Sequence, residues 1–266
     1  MIAQPVLPQD QATTASPQFA GVNLGHASDT TLTRVSAGVM AVEGLNIVTG
    51  LGAMTWAALQ AGSYANGSGG LSGLPVGTQV FITNWNAWFT PNPAMTMWRP
   101  VQGRIVLKAT TAAITNSTAD GATYAAFETT IPAGLVEPGG AIIIASALEG
   151  ALNTNSKIWY HGIAASGGGA GVNGGSQLAG PSHTSATNAS GGGLCRMVFP
   201  ATNNAAVYSA MPMLGNQSVA APATPLGAAF NMNTTACYAQ ITQRLNASGV
   251  SMQINWAACY YESPGT

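Results

Sequence analysis

Few side chains in this sequence have the types and the spacing that catalysis requires. General acid–base chemistry needs two neighbouring carboxylates or a histidine close to a carboxylate. The eight Asp and Glu residues of the 266-residue chain are isolated, without D-x-D, D-x-E or E-x-x-E spacing, and no G-x-S-x-G elbow or Walker loop occurs. A Ser-His-Asp triad could still be assembled from distant positions. The pattern nevertheless favours a protein that is not an enzyme.

One histidine lies close to an aspartate, in the segment GHASDTT, where His26 precedes Asp29 by three residues. The two could form a ligand site or a proton relay, whereas the simpler interpretation is a turn in which the Asp29 carboxylate accepts backbone N–H bonds. Arg34 and Glu43 follow, and they could pair across adjacent segments or subunits. In a chain with so few charges, a partly buried pair would act mainly to set the register.

The cysteines do not form a metal or disulfide pattern. Cys195, Cys237 and Cys259 are far apart, their number is odd, and no histidine lies within five residues of any of them. Zinc sites need clustered His and Cys ligands, and an odd count argues against a closed disulfide framework. We therefore predict three buried, inert thiols in strands, and neither a metal nor a cofactor.

Aromatic residues are concentrated in one segment, where three tryptophans and Phe89 fall within 14 residues. We interpret this segment as the core of a small β meander. An exposed aromatic ring can instead pack on the C–H face of a sugar. The candidates for contact with a sugar are Trp85, Trp88, Tyr208 and His183.

Composition excludes two large classes of partner. Charged residues make up 6% of the chain, against about 25% in an ordinary soluble domain. Seven scattered Lys and Arg residues cannot neutralise a nucleic-acid backbone, and the longest apolar run is far shorter than the roughly 20 residues that span a bilayer. The first residues resemble no signal peptide. So little surface charge favours an oligomer that buries much of its surface.

Short strands separated by turn signals predominate along the chain. Residues 53–62 are the best helix candidate, on the near-helical spacing of Met54 and three alanines. Strands are predicted at 77–108, and seven more follow in 109–266, so we predict an all-β protein with a C-terminal sandwich or jelly roll. A Gly-, Ser- and Asn-rich insertion at 166–193 is predicted to project as a loop without a core.

Three segments resemble the fibre proteins of tailed bacteriophages and prophages. LGHASDTTLTRVSAGVMAVEG at 24–44 is nearly identical over 21 residues to the fibre pattern G-H-A-[ST]-D-T-T-[LI]-x-R-x-S-A-G-x-[IVM]-x-V-E-G. Residues 74–110 and 129–165 are similar, more loosely, to two further fibre patterns, and the second of these resembles the start of a trimeric jelly-roll knob. Asn84 stands where the family pattern has Asp, and 90–97 carry an extra proline-rich stretch.

The resemblance implies a homotrimeric fibre of the virion, placed on tail or head, assembled in the host cytoplasm and without catalytic activity. Its parts would be a virion-attachment arm at 1–20, an intertwined trimeric stem at 21–76, a small β module at 77–108 and a jelly-roll knob at 109–266. The stem would contain His26, Asp29, Arg34 and Glu43. In the alternative, the knob is a glycan-binding lectin that recognises the host receptor. A depolymerase tailspike is less compatible, because the chain lacks a carboxylate pair and a long repetitive β-helix.

Overall fold

The structure is a computed structural model of one chain. It describes residues 21–23, 31–36, 39–42, 45–47, 51–75, 77–116, 123–150, 157–164, 177–179, 182–185, 189–199, 207–212, 218–219, 232–245 and 251–264. In these residues the protein is mostly β-sheet, which confirms the predicted all-β class. The chain divides into two compact units, one of Met1–Gly52 with Leu74–Thr78 and one of Ala53–Gly73 with Gln79–Thr266.

The first unit contains a four-stranded antiparallel meander in which successive strands are neighbours. Its strands are β1 (Gly21–Asn23), β2 (Thr31–Ser36), β3 (Val39–Val42) and β4 (Leu45–Ile47). The last three coincide with the strands predicted between glycines. Arg34 lies in β2 with its backbone opposite Met40. His26, Asp29, Glu43 and the arm at 1–20 lie outside the described residues.

The second unit begins with a small four-stranded sheet and one short helix. The elements are β5 (Ala53–Met54), α1 (Trp56–Ala61), a 3₁₀ turn at Leu71–Gly73, β6 (Val80–Ile82), β7 (Ala87–Pro91) and β8 (Trp98–Pro100). The strands lie in the order β5-β6-β7-β8, with β5 parallel to β6 and the other pairs antiparallel. Side chains alternate between the two faces along a strand, so Phe89 is buried while its neighbour Trp88 is exposed.

The predicted helix is confirmed, but it begins later and buries a different face than the alanine spacing indicated. Thr55 caps it, because its Oγ1 accepts the Ala58 N–H at 3.1 Å. Trp56 and Leu59 are the buried residues of the helix. Burying one tryptophan and one leucine removes far more apolar surface from water than burying alanines does, so these two side chains set the orientation.

The predicted ends of the stem, at 76, and of the small β module, at 108, do not coincide with the ends of structural units. Residues 53–73 belong to the second unit rather than to a stem that extends to 76, and the Asn66 side chain joins them to it by donating to Gly134 O at 2.6 Å and accepting the Trp98 N–H at 3.0 Å. The small sheet ends at Pro100, because the next strand pairs with the last strand of the chain. Such long-range pairings leave no local signal in the sequence.

Two six-stranded antiparallel sheets make up the rest of the second unit. One contains β9 (Arg104–Thr110), β10 (Ile114–Asn116), β12 (Ala141–Gly150), β16 (Ala189–Val198), β17 (Val207–Pro212) and β20 (Met252–Glu262), in the order β10-β20-β12-β16-β17 with β9 also on β20. The other contains β11 (Thr123–Ile131), β13 (Lys157–Ala164), β14 (Gln177–Ala179), β15 (Ser182–Ser185), β18 (Ser218–Val219) and β19 (Cys237–Leu245), in the order β11-β19-β13-β15-β18 with β14 also on β13. Every strand predicted from alternation in this region is confirmed.

The inward faces of the two large sheets form the core. In β12, Ile142, Ile144, Ser146 and Leu148 point to the core from alternate positions. Ala141 and Ile143 on the other face are buried as well, so the strand is covered on both faces in its first half. Ser146 Oγ lies 2.7 Å from Nε2 of His161 on the other sheet, and both residues are buried. The three cysteines are also buried and free, which confirms the prediction for them.

The insertion at 166–193 is not wholly a loop, so that prediction is wrong for part of it. Strands β14 and β15 lie within it and pair with β13, and residues 189–193 are the first half of β16. Gly193 lies opposite Ser146, and a Cβ built on it would be 2.7 Å from His161 Nε2. Glycine is therefore required there by close packing rather than by flexibility.

Candidate functional site

A surface groove of about 570 Å³ lies beside the turn at 100–103 and the end of the last strand. Gly103 adopts a left-handed φ of 73°, which closes the turn through its N–H bond to Pro100 O at 3.0 Å. Ser263 donates to Gly103 O through its backbone N–H at 2.7 Å and its hydroxyl at 3.1 Å. These bonds hold the turn against the C-terminal segment, so the groove has a fixed shape.

An ion-pair triad lies at the edge of this groove. Glu262 Oε2 is 2.6 Å from an Arg104 guanidinium nitrogen, and Glu262 Oε1 is 2.8 Å from one of Arg196. Hydrogen bonds from Arg104 and then Arg196 hold the pKa of Glu262 below its ordinary value, against a smaller opposing effect of burial. The Arg104 guanidinium also lies over the Tyr260 ring, 5.6 Å from its centroid. Both carboxylate oxygens of Glu262 and both arginines of the triad are thus already engaged within the protein.

Arg99 lines the same groove but takes part in neither of these ion pairs. It lies opposite Thr90 in the β7–β8 pair, and both residues line the groove. Within the described ranges, neither of the two salt bridges includes Arg99. With the triad, this gives three arginines and one glutamate, a local charge of +2 in a chain whose formal charge is −1. The groove is therefore a cationic site with one guanidinium outside any described ion pair.

An aromatic surface adjoins the groove on the outward face of the small sheet. Trp88 is 43% exposed, and its ring makes an edge contact with Phe81 on the neighbouring strand, with centroids 5.2 Å apart. The Val101 N–H donates to Trp88 O at 2.8 Å, so the exposed Val101 side chain begins the groove directly beside this strand. Trp88, Phe81 and Val101 together form a contiguous apolar surface, which we call the aromatic face.

Trp85 is placed differently from Trp88. Its ring packs on Trp56 and Phe89, with centroid distances of 5.5 and 5.8 Å. Asn84 beside it accepts the Trp56 N–H at 2.8 Å, so this turn also holds the start of α1. The interpretation of the tryptophans as core is therefore correct for Trp98 and wrong for Trp88, because Trp88 points outward from β7.

The other predicted glycan contacts lie in the large sheets. His183 is in β15 with its backbone opposite Trp159, and Tyr208 is in β17 opposite Met197. Their backbones lie on two different sheets, neither of which contains Trp88. Their side chains lie outside the described part of the structure.

One serine and one histidine make the contact that a hydrolase would use. Ser146 and His161 are hydrogen-bonded, but Ser146 is 3% exposed and His161 is fully buried, with the Gly193 backbone packed against them. A nucleophile must reach its substrate, so this pair contributes to the core and not to a reaction site.

Over the described ranges, no cluster of three His, Cys, Asp or Glu side chains could hold a metal ion. Likewise, no helix in the part of the chain that the structure describes has the length and apolarity to cross a membrane.

Sequence reasoning did not identify the arginine cluster. Arg104 and Glu262 are 158 positions apart, and Arg196 is 66 positions from Glu262. They meet because β9 and β20 are neighbours and β12 lies between β20 and β16. The only local signal is that Arg99 and Arg104 flank a turn sequence, Pro100 to Gly103.

No protein-family model matches the chain, and no curated protein matches it.

Proposed function

We propose that this chain is a structural protein of a tailed-bacteriophage virion, where it forms a homotrimeric fibre on the tail or the head. The observation that carries the proposal is the segment at 24–44, whose resemblance to the fibre pattern extends over 21 residues. Two looser resemblances follow it in the family's order, at 74–110 and 129–165. We assign no catalytic role to the chain.

Trimer formation is supported by the small size of the first unit's strands. The four strands contain three to six residues each. Such a sheet buries too little apolar surface to be stable by itself, whereas winding three copies around one axis would give each copy further partners. Strands of this length, together with 6% charged residues, support an intertwined stem.

The remaining parts follow the same proposal. The two six-stranded sheets would be the jelly-roll knob at the distal end, and residues 1–20 would join the stem to other virion proteins. Antiparallel sheets that contact each other through inward faces are compatible with a jelly roll. The location of the chain would then be the virion.

Three experiments test this function. Mass photometry of the full chain at nanomolar concentration should give the mass of three chains, and a stable folded monomer would refute the trimer. A gold label on the C-terminus, imaged on virions by electron microscopy, should place the chain on the particle and distinguish tail from head. A variant without residues 1–20 should still trimerise but not join particles, and normal incorporation of this variant would exclude the arm as the anchor.

A second candidate function is glycan recognition at the host surface. The observation that favours it is Trp88, a tryptophan 43% exposed beside a groove. Large aromatic side chains lose much apolar burial when they lie at the surface, and exposed apolar surfaces often mark binding sites.

A further inference from the structure

We infer that the groove beside the aromatic face binds an acidic saccharide, with one sugar ring on Trp88 and its carboxylate on Arg99. The inference rests on the second candidate function, glycan recognition, and names its site and its class of ligand. It does not depend on the chain being a trimer or a virion protein.

The aromatic half of the site has the geometry that a sugar ring needs. Trp88 projects from β7, and its edge contact with Phe81 at 5.2 Å fixes the direction of its ring. A ring held in one orientation loses little conformational entropy when a ligand binds. The C–H groups of a pyranose face are apolar, so they pack favourably on the exposed part of an indole.

The charged half of the site selects an acidic ligand over a neutral one. Both oxygens of Glu262 are occupied by Arg104 and Arg196, so this carboxylate does not compete for Arg99. The local charge of +2 attracts anions. A guanidinium also matches a carboxylate geometrically, because it donates two parallel N–H bonds. The carboxylate of a uronic or sialic acid would thus be the group that Arg99 binds.

Strand register places the two halves at a suitable distance. Arg99 is opposite Thr90, and Trp88 is two residues before Thr90 on the same face of the sheet. Diagonal neighbours of this kind are about 7–8 Å apart. A saccharide can therefore lie on the Trp88 ring while a carboxylate on the same or the next sugar reaches Arg99. Thr90 and Gln102 also line the groove, and their side chains can form hydrogen bonds with sugar hydroxyls.

The test uses the full chain on an array of oligosaccharides that contain glucuronic, galacturonic or sialic acid. Each is paired with its carboxyl-reduced form, which keeps the sugar but removes the charge. We expect binding to at least one acidic glycan, at least about tenfold weaker binding to its reduced form, and weaker binding at higher salt. Trp88→Ala and Arg99→Gln should each weaken binding by about tenfold or more.

Two control variants make the result specific to the groove. Val106→Ala removes another exposed apolar side chain and Lys108→Gln another exposed cation, and neither residue lines the groove. Both controls should bind as the unchanged chain does, and circular dichroism should show that all four variants keep the fold of the unchanged chain. The inference is overturned if no acidic glycan binds, if reduced glycans bind equally well, or if Trp88→Ala has no effect. It is also overturned if acrylamide quenches the fluorescence of the unchanged chain, which has six tryptophans, no more than that of Trp88→Ala, because a second copy of the chain would then cover the aromatic face.

Discussion

Replacing Gly193 by alanine should test a close contact between the two large sheets. A Cβ on Gly193 would lie 2.7 Å from Nε2 and 2.8 Å from Cε1 of His161, and 3.0 Å from Oγ of Ser146. Ordinary carbon contacts begin near about 3.5 Å, so the imidazole would have to move by roughly 0.8 Å. That movement would break the 2.7 Å hydrogen bond to Ser146.

The expected cost follows from these two effects. Overpacking of a core costs about 1–3 kcal/mol, and leaving a buried polar group without its partner costs about 1–3 kcal/mol more. We therefore expect a loss of about 2–6 kcal/mol in the free energy of unfolding. For a unit of this size that corresponds to a melting temperature lower by roughly 4–24 °C. Thermal melting followed by circular dichroism measures it.

The control is Gly69→Ala, since a Cβ there would have nothing within 4 Å and the backbone is not left-handed. This variant should melt at the same temperature or slightly higher, because alanine restricts the unfolded chain. In a chain that already carries His161→Ala, the space for a methyl group exists, so adding Gly193→Ala should cost little. A melting temperature for Gly193→Ala alone that matches the unchanged chain would refute the reasoning, as would strictly additive effects in the double variant.

Three other predictions follow from the described residues. Glu262→Gln should lower the free energy of unfolding by about 0.5–1 kcal/mol at neutral pH. Because the pKa of Glu262 is lowered in the folded chain, this stabilisation is complete above the ordinary value of 4.5 and is lost as pH falls through the lowered pKa. Urea unfolding should therefore show a smaller difference in stability between the unchanged chain and the variant at pH 3 than at pH 7. Burial raises the pKa of Cys195 and Cys237 to about 12, so Ellman's reagent at pH 8 should react with them only after unfolding, and rapid reaction in the native chain would contradict this. Replacing residues 168–191 by a short Gly-Ser turn removes β14, β15 and the first three residues of β16, and it should clearly lower the melting temperature. Unchanged melting would show that these segments add no stability.

Most strands could be predicted from the sequence because alternation is a local property. The ten residues of β12, AIIIASALEG, include three consecutive isoleucines and predict a strand, but only the structure shows that Ala141–Ile144 are all buried and that burial alternates only from Ala145 onward. The start of α1 was less predictable. The spacing of the alanines indicated one face, but Trp56 and Leu59 are buried because they have larger apolar surfaces and neighbours to pack against.

The insertion at 166–193 shows where composition misleads. Glycine, serine and asparagine are typical of loops, yet β15 and the start of β16 are strands because neighbouring strands offer partners for their backbone groups. Gly193 lies in such a strand because any side chain there would collide with His161. Residue type alone cannot distinguish a flexible glycine from one that close packing requires.

The sequence by itself determined the all-β class, the positions of the main strands and the buried state of the cysteines, since each depends on neighbours within about ten residues. It also carried the resemblance on which the proposed function rests. Only the tertiary structure decided that Trp88 is exposed while Trp98 is buried, and that Arg104, Arg196 and Glu262 meet beside Arg99. The physical reason is that pairing between strands distant in the chain sets which side chains become neighbours, and that pairing is chosen by the packing of the whole core.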